Sequence, residues 1–263
     1  MKNIAIITGA SSGLGRAYAK TLLKADSNEN IDWLDEVWVI ARRKAKLEEL
    51  SNEFAYPHIK LRIFPLDLSK SESFERLAET LSKEKPYVRY LINCAGVEYN
   101  GNFGLMTGAK VDSLIDLNIK ATTKMISICG SYFSKETKVI NISSITSFVP
   151  TAGLSVYSAS KSYISYLTRA LREEAKVTKS GIKYLCIYPG NMNTEMNRKD
   201  DPGHSKIVQK LPWLDINKII DTSLKLVKKG RACYTPGLFY KNFRIISKIL
   251  PKAWLIPLFK VEF

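Results

Sequence analysis

The sequence predicts an α/β protein: a doubly wound parallel sheet of about seven strands with helices on both faces, in a single domain followed by an amphipathic C-terminal tail. Three observations predict it. Short apolar runs alternate with helix-forming stretches from the first residue to about Thr235. The first apolar run leads straight into a glycine-rich turn and then a helix. At 263 residues the chain is long enough for one domain with a sizeable core. Residues 1–238 are assigned to that domain and 239–263 to the tail.

Asn3-Ile4-Ala5-Ile6-Ile7 reads as a buried parallel strand. It runs into Thr8-Gly9-Ala10-Ser11-Ser12-Gly13-Leu14-Gly15, and Arg16 to Ala25 reads as a helix. Strand, glycine turn and helix form the context of a dinucleotide-binding fingerprint. Gly9, Gly13 and Gly15 allow a tight turn, approach of backbone amides to a pyrophosphate, and close helix–strand packing. The helix directs its N-terminal amides at the phosphates. The spacing G-x-x-x-G-x-G preceded by Thr resembles the short-chain dehydrogenase/reductase family, whose fold is Rossmann-like.

The second strand, Glu36 to Ile40, ends at Ala41-Arg42-Arg43-Lys44. An acid here would grip ribose hydroxyls of NAD. This chain offers cations instead, and arginine forks match phosphate geometry. Arg42, with Arg43 and Ser11, is expected to hold the 2′-phosphate of NADP(H); the other reading is a solvated helix start. Strand three, Lys60 to Leu66, ends at Asp67-Leu68. By resemblance the acid contacts adenine; by residue type it caps a helix beginning near Ser69. Strand four, Val88 to Ile92, ends in Asn93-Cys94-Ala95-Gly96, where the family usually shows Asn-Asn-Ala-Gly. Asn93, Ala95 and Gly96 resemble the positions that shape the backbone beside the cofactor.

Asn118 interrupts an apolar-periodic helix, where asparagine is a poor choice. The resemblance implies a helix distortion there and a water held in a proton relay. Strand five, Lys138 to Ile142, leads into Ser143-Ser144; Ser144 is the one in register with the family's catalytic serine. Strand six, Ile182 to Tyr188, ends in Pro189-Gly190-Asn191-Met192-Asn193-Thr194. This resembles the family's nicotinamide-side loop, with Gly190 permitting backbone approach and Thr194 bonding the carboxamide or a phosphate.

Tyr157 and Lys161 stand at i and i+4, on one face of a helix. Tyrosine titrates near ~10, so work at neutral pH needs a drop of roughly three units, about 4 kcal/mol. An ammonium ~5 Å away at an effective dielectric of ~20 supplies about 3 kcal/mol. Lys161 is therefore expected to lower the Tyr157 pKa. By resemblance the catalytic set is Asn118, Ser144, Tyr157 and Lys161, and Tyr157 and Lys161 also meet the cofactor. The implied reaction is hydride transfer between NADP(H) and a ketone or aldehyde, with Tyr157 as general acid/base. A nonenzymatic NADPH-binding sensor would be expected to have lost the Tyr or the Lys, and an NAD-preferring dehydrogenase remains the alternative. Specificity is expected from Glu98–Gly104, Ile145–Val156 and the stretch after Thr194 with Met196, Trp213 and Leu214, read as a lid; an apolar, steroid-like or acyl-chain substrate fits these residues.

The formal charge of +15 favours anionic partners, but no nucleic-acid motif accompanies it. Cys94, Cys129, Cys186 and Cys233 are scattered and read as reduced thiols of a cytoplasmic protein. With only His58 and His204 and no clustered carboxylates, no metal site is expected. The chain opens on its first strand, so no signal peptide is expected. A homodimer or homotetramer built on the faces Ser155–Val177 and Val111–Phe133 is expected from the resemblance. The tail from Lys241 to Phe263 alternates large apolar groups with five cations, with no run long enough to span a membrane. Three readings are open: it packs on the domain or a twin subunit, docks peripherally on a membrane, or covers the substrate cleft.

Overall fold

The computed structural model describes residues 1–24, 33–54, 58–199 and 211–258. His204, the centre of the expected lid stretch and the last residues of the tail lie outside them.

Seven parallel strands form one sheet in the order β3-β2-β1-β4-β5-β6-β7. They are β1 (Asn3–Thr8), β2 (Glu36–Ala41), β3 (Lys60–Pro65), β4 (Tyr87–Asn93), β5 (Phe133–Ile142), β6 (Lys183–Ile187) and β7 (Cys233–Tyr234). The central strands are apolar on both sides because both sides are covered. Ala5 and Ile7 of β1 face one cluster, with Tyr18 and Leu22 of α1 (Gly13–Leu23), Leu47 of α2 (Lys44–Glu53) and Leu224 of α7 (Ile216–Lys228). Ile4 and Ile6 face the other, with Phe74 and Leu77 of α3 (Ser71–Glu84) and Met125 of α5 (Ala121–Cys129). One strand thus feeds two cores, which makes the fold doubly wound.

Strand order reverses beside β1, so the carboxyl ends of β1 and β4 diverge and open a crevice, the usual ligand position in such sheets. Between α4 (Gly108–Ile115) and α5 the chain makes a π-helical turn, Asp116–Lys120, with Asn118 buried inside it. This is the helix distortion expected at that residue. Helix α6 (Ser155–Val177) packs along β5 and β6.

The tail begins as α8 (Leu238–Ile249), followed by the short α9 (Lys252–Leu255). Tyr240 of α8 is fully buried. Its hydroxyl donates to Pro212 O at 2.7 Å and accepts from Asn191 N–H at 3.2 Å. A Cβ on Gly190 would lie 2.2 Å from the Tyr240 ring. Gly190 thus makes room for the tail.

Candidate active site

A cleft of about 780 Å³ opens at the carboxyl ends of β1, β4, β5 and β6. Gly9, Ser11, Ser12, Gly13, Leu14 and Gly15 line one end of it. Gly9 adopts φ +69°, and a Cβ there would stand 2.8 Å from Ala95 N, so the turn needs glycine for both reasons. Thr8 sits behind this lining. Its hydroxyl oxygen accepts from the N–H groups of Cys94 and Ala95, each at 3.1 Å, and ties the end of β4 to the end of β1.

Arg42 and Arg43 reach the same end of the cleft. Arg43 donates to Ser11 Oγ at 2.9 Å and to Glu195 Oε2 at 2.6 Å. Arg43 in turn holds the Glu195 carboxyl below its usual range. Leu68 lines the cleft, whereas Asp67 accepts from the Ser69 N–H at 3.0 Å and the Ser69 hydroxyl at 2.8 Å. Burial pushes the Asp67 carboxyl up, but Ser69 and then Arg42 outweigh it and hold it low. These bonds close a turn ahead of the helix and do not cap it: α3 starts two residues later than expected, at Ser71, and its N-cap is Lys70, with no side-chain cap bond.

Ala95 and Gly96 line the middle of the cleft. Asn93 lies behind it, buried, and donates to Asn141 Oδ1 at 2.8 Å; Asn141 donates on to Thr168 Oγ1 at 2.9 Å. On the far side, Pro189, Gly190 and Thr194 line the cleft. Thr194 closes its own turn by accepting from Asn197 N–H at 3.2 Å.

The first turns of α6 carry Tyr157 and Lys161 into the cleft, both nearly buried. The loop after β5 brings Ser144 into the same cleft lining as Tyr157. Ser143 turns away and donates to Lys161 O at 2.7 Å, which leaves Ser144 as the serine facing the tyrosine. The Asn118 side chain ties the π-helical turn to the loop after β4 and to α6. Its Oδ1 accepts from Val97 N–H at 2.8 Å, and its amide donates to Val97 O and to Ser160 Oγ, each at 3.0 Å.

The electrostatics correct one expectation. The Tyr157 pKa is raised well above its ordinary value, not lowered. Burial is the first cause, and the Glu98 carboxyl beside the hydroxyl adds to it; only Ser144 opposes. The Lys161 ammonium stands 5.6 Å from the Tyr157 ring centre and donates to Ile142 O at 3.1 Å. Burial pulls its own pKa down to about 8, against the pull of Glu98.

Three contributors were given no such place by the sequence reading, or only a general one. Glu98 belongs to the expected specificity stretch, and it lines the cleft and raises the tyrosine's pKa. Glu195 directly follows Thr194 and bridges to Arg43. Phe243 of α8 lines the cleft, so the tail supplies part of its wall. The sequence signalled Glu98 only through its stretch and Phe243 through the reading that the tail covers the cleft; Glu195 carried no signal. Among the described residues no group of His, Cys, Asp and Glu could hold a metal ion.

The strand order, the glycine turn and the serine–tyrosine–lysine set on one cleft wall define an oxidoreductase fold and site. The model of the short chain dehydrogenase family matches residues 3–204, and the chain belongs to that family. An uncharacterized oxidoreductase of Staphylococcus aureus is 30% identical over 205 residues, covering 77% of this chain and 84% of the relative. A short-chain dehydrogenase from Sphingobium yanoikuyae, in complex with NADPH, superposes with a TM-score of 0.75 at 22% identity, covering 95% of this chain and 97% of that one. A bulky-bulky ketone specific alcohol dehydrogenase from Comamonas testosteroni gives 0.73 at 21% identity, with 96% of each chain covered. A relative from Burkholderia phymatum in complex with NAD gives 0.78 at 15% identity, covering 93% and 92%.

Proposed function

We propose that the protein is an NADP(H)-dependent reductase of bulky apolar ketones or aldehydes. The observation that carries this reading is that Ser144, Tyr157 and Lys161 line one cleft whose other end is the glycine turn. A dinucleotide with its phosphates on the glycine turn would extend its nicotinamide toward Tyr157 and supply the hydride there. Tyr157 gives its proton to the oxygen that becomes the alcohol. Ser144 donates a hydrogen bond to the same oxygen, aimed at charge as it develops. Lys161 steadies the ribose hydroxyls, and Asn118 fixes the loop that forms the cleft's middle. Arg42, Arg43 and Ser11 suit a 2′-phosphate, with no acid at the end of β2 to favour a bare ribose. Met192, Met196, Val149, Leu154, Leu211 and Phe243 make the substrate end apolar. Oxidation of NADPH and of NADH over a panel of bulky apolar ketones tests this. No turnover with either cofactor overturns the activity, and a clear preference for NADH overturns the cofactor assignment.

We infer that the chain pairs through α5 and α6, where Tyr166 is largely exposed and Tyr163 meets Thr123 at 3.2 Å between hydroxyls. Light scattering in solution gives the copy number, and a monomer overturns this.

We infer too that the tail docks on an anionic lipid surface. Leu238, Ile245, Ile246 and Ile249 form an outward stripe on α8 at helical spacing, 75%, 50%, 45% and 74% exposed. Trp254 beyond it is 68% exposed. Lys241, Lys248 and Lys252 are exposed beside the stripe. Apolar groups with a tryptophan and flanking lysines suit a headgroup boundary, and the net charge of +15 favours an anionic one. No described helix is long and apolar enough to cross a membrane. The full chain should float with phosphatidylserine-containing vesicles and not with purely zwitterionic ones, and Ile249→Glu with Trp254→Ala should abolish flotation. Loss of an oligomer in that variant, without vesicle binding by the parent, makes the stripe a contact between copies and overturns the lipid reading.

A further inference from the structure

Ser144 opens a single 3-10 turn, Ile145–Ser147. Ser144 O accepts from Ser147 N–H and Ile145 O from Phe148 N–H, each at 3.1 Å. Ser144 Oγ accepts from Thr146 N–H at 3.2 Å, which occupies a lone pair and leaves the hydroxyl proton free to donate. The serine's place is therefore set by what holds the two ends of the turn. Strand β6 and the residues after it hold the start: Ser143 N–H donates to Ile187 O at 2.8 Å and Ile145 N–H to Pro189 O at 3.1 Å. The Phe148 ring anchors the far end. Its centre lies 4.9 Å from that of Tyr188 and 6.1 Å from that of Phe243. Tyr188 is buried and meets Ser165 of α6 at 2.7 Å between hydroxyls.

Arg244 of α8 lies over this pair of rings. Its guanidinium carbon stands 5.0 Å from the Tyr188 ring centre and 5.8 Å from that of Phe148, and it donates to Thr235 Oγ1 at 3.4 Å. The side chain is half-buried, where attraction between a cation and ring faces is stronger than in open water. One residue of the tail thus bridges the serine's turn, the end of β6 and the residue after β7.

We propose that Arg244 is a positioning residue for Ser144: from the tail it clamps the Phe148 end of the serine's turn and so keeps the Ser144 hydroxyl aimed at the substrate oxygen. This rests on the reading of Ser144 as a donor to that oxygen. A donor aimed at developing charge helps only while its aim holds, and a displacement of ~1 Å costs on the order of 100-fold. Without the guanidinium, Phe148 keeps only two tilted ring contacts, at 40° and 55°, and the far end of the turn gains room.

Arg244→Met keeps a long apolar side chain and removes the cation. In the full chain, kcat for ketone reduction should fall roughly tenfold, with NADPH affinity read by fluorescence unchanged. In a Ser144→Ala protein the same change should cost less than about twofold, because the group it positions is already gone. Arg244→Lys keeps a charge but not the planar stack, and its kcat should fall between those of the parent and Arg244→Met. Phe148→Leu, measured with and without Ser144→Ala, should show the same loss of effect and serves if Arg244→Met folds poorly. An unchanged kcat in Arg244→Met, or an equal fall in both backgrounds, overturns the proposal. Full activity in Ser144→Ala itself instead overturns the reading of Ser144 as a donor.

Discussion

Arg43 and Glu195, 152 residues apart in the chain, meet at 2.6 Å across the glycine-turn end of the cleft. Arg43 also holds Ser11, so one guanidinium joins the turn after β1, the start of α2 and the loop after β6. A 2′-phosphate placed there must compete with the Glu195 carboxylate for the same fork. Glu195→Gln is predicted to lower KM for NADPH about two- to fivefold, the scale of an exposed ion pair, and to leave KM for NADH unchanged. Equal changes for both cofactors would show that the pair does not report on the phosphate.

Tyr157→Phe is predicted to cut turnover by ~100-fold or more while NADPH still binds, the scale of general acid–base catalysis. Ser144→Ala should lose a comparable ~100-fold, mainly in kcat, because its hydrogen bond strengthens as charge develops. Cofactor binding followed by NADPH fluorescence separates loss of chemistry from loss of binding.

Gly190→Ala places a methyl group 2.2 Å from the ring of Tyr240, a fully buried side chain bonded at its hydroxyl. Denaturant unfolding should show a loss of about 1–3 kcal/mol from overpacking. With Tyr240→Ala already present, the same methyl should cost far less, since the two groups share one space. Additive costs would place the strain elsewhere.

Glu36 is a buried acid on β2. It accepts from Lys2 at 2.6 Å, Trp38 Nε1 at 2.8 Å and Arg62 at 3.3 Å. Burial pushes its carboxyl up, but these donors outweigh it and hold the pKa below its usual value. A folded-state pKa below the unfolded one, near ~4.3, gives stability that is present above that pH and lost as pH falls through the folded value. Thermal or denaturant unfolding followed downward from about pH 5 should show this loss, and Glu36→Gln should flatten it. An unchanged acid profile in that variant would remove Glu36 from the account.

Much of this molecule is legible in its sequence. The apolar runs at Asn3–Ile7, Glu36–Ile40 and Lys138–Ile142 announce buried strands because a strand covered on both faces has no polar side. Gly9, Ser144, Tyr157 and Lys161 are found by spacing because their roles depend on neighbours along the chain. The rest depends on residues brought together from a distance. Nothing near Gly190 foretells Tyr240, fifty positions later, and nothing near Arg43 foretells Glu195. The tyrosine's proton affinity is the plainest case. Its lysine partner lies one helical turn away and is visible in the sequence; the burial and the Glu98 carboxyl that outweigh it come from folding.

Helix α8 has no joint between its two sides. Tyr240 seats it in the Gly190 notch, Phe243 forms wall for the cleft, and Ile245 and Ile249 look outward from the same three turns of backbone. Any force on its outer surface must therefore be felt at the substrate doorway, as a push on one side of a stiff rod moves the other. Trimming the chain at its last tenth would do more than shorten it: it would unplug a socket and knock out part of the chamber.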